Sequence, residues 1–400
     1  MVGDKLNGII IRNGLALSGS WTKRVKHWNQ SFNKNGVDTK IICANPSKPI
    51  GFINGKDGIH YLNSLWLPSI IGYFLSPIVI LFKLIKEKPD FVLLANGGFL
   101  EFYTIPLYCK IKGIPLLVDM VDTIGRKYKK NKTIIDYIII YNKVLFDKII
   151  LRSAFEVFCI SSELLNKYKA LYPNKRVSMS IPSTVDIDEF EINSKLGLSV
   201  LEDDSYDIFN EKDFVKIFYA GTITRLNGID FLLKALNNII KTENYTVKII
   251  FAIIDGNVDS LNKLLSSYNL REYSVIVPAV EQRYLPILLT KADILFIPEQ
   301  GDETANAGFP GKTSEYLLSE TPLITTMFSD LDVYLTNKVN SMITKRGDFS
   351  AYQDNLKQLI SNKEFRKKLG KEGALLAKEN FSSKDSFKPY MESVDLYYSS

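Results

Sequence analysis

At 400 residues the chain is too long for one hydrophobic core and is expected to form two domains. Its 46% hydrophobic and 24% charged residues are ordinary for a globular protein and exclude a disordered or fibrous chain. The net charge of +6 is modest and no recognition module is present, which argues against nucleic acid as a partner. Three scattered cysteines and two histidines exclude a disulfide framework and a multi-histidine metal site and fit a reducing cytoplasm.

The residues before Gly8-Ile9-Ile10-Ile11 are polar and charged, so no signal peptide is expected. Gly8 to Arg12 reads as a first strand, Asn13 to Ser20 as a loop with two glycines, and Trp21 to Asn33 as a helix ended by Asn35-Gly36. Val37 to Cys43 is then the second strand of a doubly wound sheet. The dinucleotide fingerprint G-x-G-x-x-G is missing, which argues against a dehydrogenase. Leu65 to Ile85 is the most apolar stretch. Its uncharged part, Leu65 to Phe82, has about the minimum length of a bilayer span, but Pro68, Gly72 and Pro77 favour a buried or interfacial helix. Phe91 to Leu94 and Gly113 to Asp119 are further strands, and Asp119 and Asp122 fall at the C-terminal edge where open α/β sheets bind ligands. The basic run Arg126 to Lys132 suits a solvated surface or anionic headgroups.

Phe155 to Ser162 reads as a strand entering a helix, and Ile181 to Phe190 as the exit from the first domain. Asp186 and Asp188 make a two-residue metal-type pattern that is better read as a linker turn. Residues 191–213 are polar, with an acidic run at Glu202-Asp203-Asp204, and read as the interdomain linker. A second sheet starts at Phe214 to Ala220. It is followed by Gly221-Thr222-Ile223-Thr224-Arg225-Leu226-Asn227-Gly228 and a core-facing helix carrying Leu232, Ala235, Leu236, Ile239 and Ile240. This places a Gly-rich loop, with Arg225 in it, at a helix start, and a guanidinium there suits phosphate.

The second such loop follows the strand Asp293 to Pro298. Gly308, Phe309, Pro310 and Gly311 cannot be regular structure, and a helix is expected from about Lys312 until Pro322 stops it. Backbone N–H groups, a helix N-terminus and the Lys312 charge suit an anion, and Glu315, one turn in, suits a pair of hydroxyls. Anion and vicinal diol together describe a nucleoside diphosphate. Two plainer readings compete. Gly311-Lys312-Thr313 looks like the end of a Walker A loop, but Asn306 stands where that loop needs its first glycine. An ordinary helix start capped by Glu315 is the other. Two helices, Tyr352 to Ile360 and Lys363 to Glu379, are broken at Phe381-Ser382 before a last helix from Phe387 to Tyr398.

Taken in order, these segments resemble glycosyltransferase family 4, the large retaining family with the GT-B fold. Gly221 to Asp230 is similar to its Gly-rich loop, and Ala292 to Pro298 to the strand before its donor site. Gly308 to Leu317 with Thr321 to Ile324 is similar to the form found in bacterial capsule, exopolysaccharide and O-antigen transferases. Three positions depart from the pattern. The first glutamate of Glu-x7-Glu is Ala307, the Lys of the Lys-Gly pair is Asn227 and the Arg after the first Gly is Thr222. The first-domain histidine is also missing, with Asp122 nearby.

The resemblance implies an α/β protein of two Rossmann-like doubly wound domains facing across a cleft, with the C-terminal helix crossing back to the N-domain. Residues 1–190 are the expected acceptor domain, 191–213 a linker, 214–380 the nucleotide-sugar domain and 381–400 the crossing helix. Donor binding is expected at Gly19, Gly221, Thr222, Arg225, Gly308, Phe309, Pro310, Gly311, Lys312, Thr313 and Glu315, with Arg225, Lys312 and Asp122 as the catalytic groups. No metal and no cofactor is implied, the nucleotide-diphosphate sugar being a co-substrate. The expected activity is retaining transfer to a hydroxyl of a lipid-linked glycan, by a cytoplasmic protein lying peripherally on the anionic inner face of the cell membrane. A catalytically idle GT-B protein and a nucleotide-sugar epimerase are the alternatives.

Overall fold

The computed structural model describes residues 6–13, 20–44, 59–61, 69–95, 104–121, 141, 145, 147–223, 228–243, 245–256, 258–298 and 306–400. The chain divides into two compact units. Unit 1 comprises Met1–Thr184, Ala307–Phe309 and Ser383–Ser400, and unit 2 comprises Val185–Asn306 and Pro310–Ser382.

Unit 1 is built on strands β1 (Asn7–Asn13), β2 (Asp38–Ala44), β3 (Ile59–Tyr61), β4 (Phe91–Ala95), β5 (Leu116–Met120), β6 (Glu156–Cys159) and β7 (Arg176–Met179). They form one parallel sheet in the order β3-β2-β1-β4-β5-β6-β7. Ile9 to Ile11 and Phe91 to Leu94 are wholly buried, as unbroken apolar runs must be when helices cover both faces. The final helix, Lys388–Ser399, belongs to this unit, as the crossing-back reading expects. Its Tyr390 and Val394 share a core with Trp28, Phe32 and Phe158. The Tyr390 hydroxyl donates to Asp119 Oδ1 at 2.7 Å.

The apolar stretch of unit 1 is the helix Ser69–Glu87, with Pro77 inside it. Ile80 and Leu84 enter the core, whereas Ile78, Phe82 and Ile85 lie exposed on another face. Among the described residues no helix is long and apolar enough to cross a membrane. The basic run 126–132 lies outside the described residues.

Unit 2 holds β8 (Val215–Ile223), β9 (Val247–Gly256), β10 (Ser274–Val277), β11 (Ile294–Phe296), β12 (Leu323–Thr326) and β13 (Met342–Thr344). These strands are also parallel, in the order β10-β9-β8-β11-β12-β13. The order reverses between β8 and β11, and open α/β sheets bind ligands beyond the carboxyl ends of the strands at such a point. The helix Ile229–Thr242 buries Leu232, Ala235, Leu236 and Ile239 against the sheet, as its 3.6-residue spacing requires.

Residues 191–213 are not a free linker. They form the end of the helix Ile187–Ser194 and two short 3-10 turns, Leu198–Val200 and Asp204–Phe209, within unit 2. Leu198, Tyr206 and Phe209 are the buried anchors, and Phe209 meets Phe218 of β8 edge-on at 5.1 Å. Three isolated anchors in a polar stretch follow neither the helix nor the strand period, so composition alone hides them. Asp186 caps the helix Ile187–Ser194, accepting from the Glu189 N–H at 3.1 Å, a turn role rather than a metal role.

Candidate functional site

The reversal point in unit 2 is built from the tip of β8 and the segment entering the helix Thr313–Leu318. The tip is irregular: the pairing of β8 with β9 shifts between Gly221 and Ile223. Gly221 has φ +145°, in a region that side chains other than glycine rarely adopt. A Cβ on Gly221 would overlap the Lys312 ammonium and come within 2.7 Å of its Cε. Lys312 therefore lies along the bare backbone of Gly221, and the two residues singled out from separate loops meet.

Lys312 Nζ also stands over the Tyr219 ring, 4.0 Å from its centroid. The ring is held in place: its hydroxyl donates to the Thr222 carbonyl at 3.0 Å, and Phe296 of β11 packs 5.3 Å away. Tyr316 fastens the next residue of β8, accepting from the Ala220 N–H at 3.0 Å and donating to the Ala220 carbonyl at 3.3 Å. Burial pushes the Tyr219 phenol up to about 12 and the Tyr316 phenol well above its ordinary value, so both stay neutral donors near pH 7. Burial pushes the Lys312 ammonium down to about 7, while the nearby Glu315 carboxylate pulls it upward. A lysine poised there carries a charge that an arriving anion would complete.

Glu315 is 6% exposed, on the first turn of the helix. Its Oε1 accepts from Gln282 Nε2 at 2.8 Å. Gln282 opens the short turn Gln282–Tyr284 that follows β10. Nothing periodic marks Gln282, Tyr219 or Tyr316 as site residues in the sequence, and each is recognisable only by what it touches.

The helix itself departs from expectation. It covers only Thr313–Leu318, not the run up to Pro322, because Glu320 turns into a left-handed conformation with φ +58°. The helix Lys363–Asn380 crosses close by: a Cβ on its Gly370 would overlap the Glu320 carbonyl oxygen and lie 2.5 Å from the carbonyl carbon. Six residues give a weak dipole, so the positive charge at this end rests chiefly on Lys312. The Thr313 hydroxyl is turned inward, donating to the Pro310 carbonyl at 2.8 Å, and the Thr313 N–H bonds the same oxygen at 3.0 Å. Both of these Thr313 groups are thus spent on closing the turn. Gly311 is half-buried beside them, and Thr222 is exposed at the tip of β8.

Ala307, Gly308 and Phe309 are grouped with unit 1. Ala307, which stands where the motif has glutamate, is buried in that unit's core, and its carbonyl accepts from Ser161 Oγ at 2.8 Å. Phe309 packs against the same core. Asp119 is also fully buried, paired with Arg24 Nη2 at 3.1 Å and accepting from Tyr390. It lies at the C-terminal end of β5, where ligands are expected, but its oxygens are spent on the scaffold. Gly19, Asp122 and Arg225 lie outside the described residues. Among those described, no grouping of His, Cys, Asp and Glu could hold a metal.

Residues 202–375, nearly all of them in unit 2, match the family described as glycosyl transferases group 1. No curated protein matches the chain in sequence. Solved structures match it throughout. The sucrose-phosphate synthase of Thermosynechococcus elongatus has a TM-score of 0.73 at 12% identity, covering 99% of this chain and 100% of that one. A glycosyltransferase from Rickettsia africae has a TM-score of 0.72 at 14% identity, with 99% of each chain covered. The Anabaena protein HepE in complex with UDP-glucose has a TM-score of 0.69 at 12% identity, covering 98% of this chain and 100% of that one. At such identities the likeness establishes the fold, which is GT-B. Together with the group 1 match it supports glycosyltransferase activity.

Proposed function

We propose that this chain is a retaining glycosyltransferase that moves a sugar from a nucleoside-diphosphate donor to a hydroxyl of a lipid-linked glycan in cell-surface polysaccharide synthesis. The observation that carries the reading is the ammonium of Lys312, packed along Gly221 at the reversal point of the sheet, with the buried carboxylate of Glu315 one turn on. In this reading Lys312 and the backbone at Gly221 and Gly311 hold the diphosphate, with Arg225 adding a second cation. Charge grows on the leaving phosphate as the glycosidic bond breaks, and a preorganised cation stabilises that charge more in the transition state than in the ground state. Glu315, steadied by Gln282, accepts the ribose hydroxyls. Retention follows a front-face route in which the departing phosphate takes the acceptor's proton, and Asp122 is the remaining polar candidate in the first unit. HepE, one of the similar structures, holds UDP-glucose, which supports a diphosphate donor here. The reading calls for no metal, because side-chain cations carry the charge.

The acceptor's lipid is proposed from unit 1. Ile78, Phe82 and Ile85 form an exposed stripe at i, i+4, i+7, with Phe82 68% exposed. The neighbouring helix Thr104–Lys112 exposes Leu107 and, at 71%, Ile111. The two helices are joined by Tyr108, whose hydroxyl donates to the Leu84 carbonyl at 2.7 Å. Lys86, Lys110 and Lys112 are exposed near the ends of these stripes. Apolar stripes flanked by lysines suit the interface of an anionic bilayer. The protein is expected to sediment with vesicles containing phosphatidylglycerol and to be released by high salt. Sedimentation unaffected by changing both Phe82 and Ile111 to serine would remove this face from the account.

The direct test of function is turnover. Purified protein given a labelled nucleotide sugar and a lipid extract is expected to release the nucleoside diphosphate and label the lipid fraction. Binding of the donor without turnover would favour a catalytically idle nucleotide-sugar-binding protein, the reading to which Ala307 in the glutamate position points. An altered donor sugar without any acceptor would indicate an epimerase.

A further inference from the structure

We infer that Tyr219 is the positioning residue for Lys312: its ring, with the space left open by Gly221, forms a seat that presents the ammonium at the tip of β8. This rests on the reading of Lys312 as the cation that holds the diphosphate. Residues 219 and 221 alternate along one strand, so both face the same side and both can meet one side chain arriving from another loop. The ammonium stands 4.0 Å from the ring centroid, within the range at which the negative face of an aromatic ring attracts a cation. The lateral room comes from Gly221, whose missing Cβ is the volume that the lysine end fills.

The seat is rigid for reasons that can be named. The Tyr219 hydroxyl donates to the Thr222 carbonyl at 3.0 Å, and Phe296 and Phe251 pack around the ring with centroids 5.3 and 6.5 Å away. Lysine is a rotamer-rich side chain, and ordering it when ligand arrives costs affinity. A ring that already holds the ammonium in place removes much of that cost. An aliphatic residue at 219 would keep an apolar side chain in the core, at the loss of the Thr222 hydrogen bond and some packing, but would offer no attraction to the cation. Tyr219 touches no substrate in this scheme and acts only through Lys312.

The test is a double-mutant cycle read by calorimetric titration with UDP and GDP, taking whichever binds the unaltered protein. Tyr219→Leu is expected to weaken binding about 10-fold, and Tyr219→Phe, which keeps the ring, to stay within about 3-fold of the unaltered protein. In a Lys312→Ala background Tyr219→Leu should have no further effect, because the group it positions is gone. An equal loss in both backgrounds would mean that Tyr219 is merely structural and would overturn the inference. Unchanged binding in Tyr219→Leu would overturn it as well. If Lys312→Ala itself left binding unchanged, the diphosphate reading would fall and the inference with it, a result distinct from the first two. Thermal melts identify variants that fail to fold, and Tyr219→Met, close to leucine in volume and more adaptable, repeats the cycle if Tyr219→Leu is one of them.

Discussion

Replacing Lys312 by alanine is expected to lower kcat/KM for the nucleotide sugar about 10²–10³-fold, the range seen when one preorganised group facing a developing negative charge is removed. The fall should appear in kcat as well as KM, because the charge on the leaving phosphate increases in the transition state. Lys312→Arg should not restore the rate. The seat over Gly221 is bounded by the Tyr219 ring and admits a slender ammonium, whereas a planar guanidinium is wider. The pH dependence has a definite sign. With Lys312 pushed down to about 7, the free site loses its charge as pH rises through that value. A bound diphosphate stabilises the charged form, so binding above that pH must take up a proton. Donor KM is therefore expected to rise by up to about 10-fold per pH unit above ~7, and this slope should vanish in Lys312→Ala. Steady-state kinetics between about pH 6 and 9 would read both effects, and a flat profile in the unaltered enzyme would separate Lys312 from the donor.

The second large effect concerns the scaffold. Asp119→Ala is expected to destabilise unit 1 by about 3–5 kcal/mol, because it strands a buried guanidinium. Arg24 is almost wholly enclosed, and its hydrogen bonds run to Asp119, to Ser180 Oγ at 2.9 Å and to the Ile181 carbonyl. Trp28 lies beneath it, 4.7 Å from ring centroid to guanidinium carbon. Asp119 also receives the Tyr390 hydroxyl of the last helix, so one substitution loosens β5, the first helix (Ser20–Lys34) and the C-terminal helix together. For a unit of this size the melting temperature should drop by on the order of 10 °C. Calorimetric melting of Asp119→Ala and Arg24→Met separates two explanations. Removing the charge on Arg24 as well should recover part of the loss in the double variant, because no buried charge is then left unpaired. A melting temperature unchanged by Asp119→Ala would show that the pair carries little stability.

Much of this architecture is legible in the residues. Runs such as Ile9 to Ile11 and Leu295-Phe296 are short, apolar and bounded by turn residues, and strands buried on both faces of a parallel sheet take that form. The Gly221 and Lys312 loops are legible because glycine and proline leave few regular options, and a cation beside such a loop limits the ligand chemistry. What escapes a reading of the sequence is any feature that depends on packing between distant segments. The helix after Lys312 ends before Glu320, which turns left-handed, and the backbone packed against its carbonyl there is that of Gly370, far along the chain. The anchors Leu198, Tyr206 and Phe209 look like stray apolar residues in a polar run until the sheet they cover is present. Thr313 has the composition of a phosphate-loop residue, yet its hydroxyl closes a turn on Pro310. Asp119 sits at the strand edge where a functional carboxylate belongs, and only the presence of Arg24 and Tyr390 shows that it is a structural one.

Whether unit 2 binds a nucleoside diphosphate through Lys312 and Glu315 can be read from a thermal-shift screen of the purified protein against UDP, GDP, dTDP and CMP and their common sugars. At about 100 times its dissociation constant a true ligand adds roughly 2.7 kcal/mol of stability. A clear rise is expected with one diphosphate nucleotide and its sugar, and little with the monophosphate CMP. The rise in Glu315→Ala should be sharply smaller, since a hydrogen bond to a charged group contributes roughly 1.5–3 kcal/mol, about 10–100-fold in affinity. No shift with any diphosphate nucleotide, or the same shift in Glu315→Ala and Lys312→Ala as in the unaltered protein, would mean that Lys312 and Glu315 do not hold a nucleoside diphosphate.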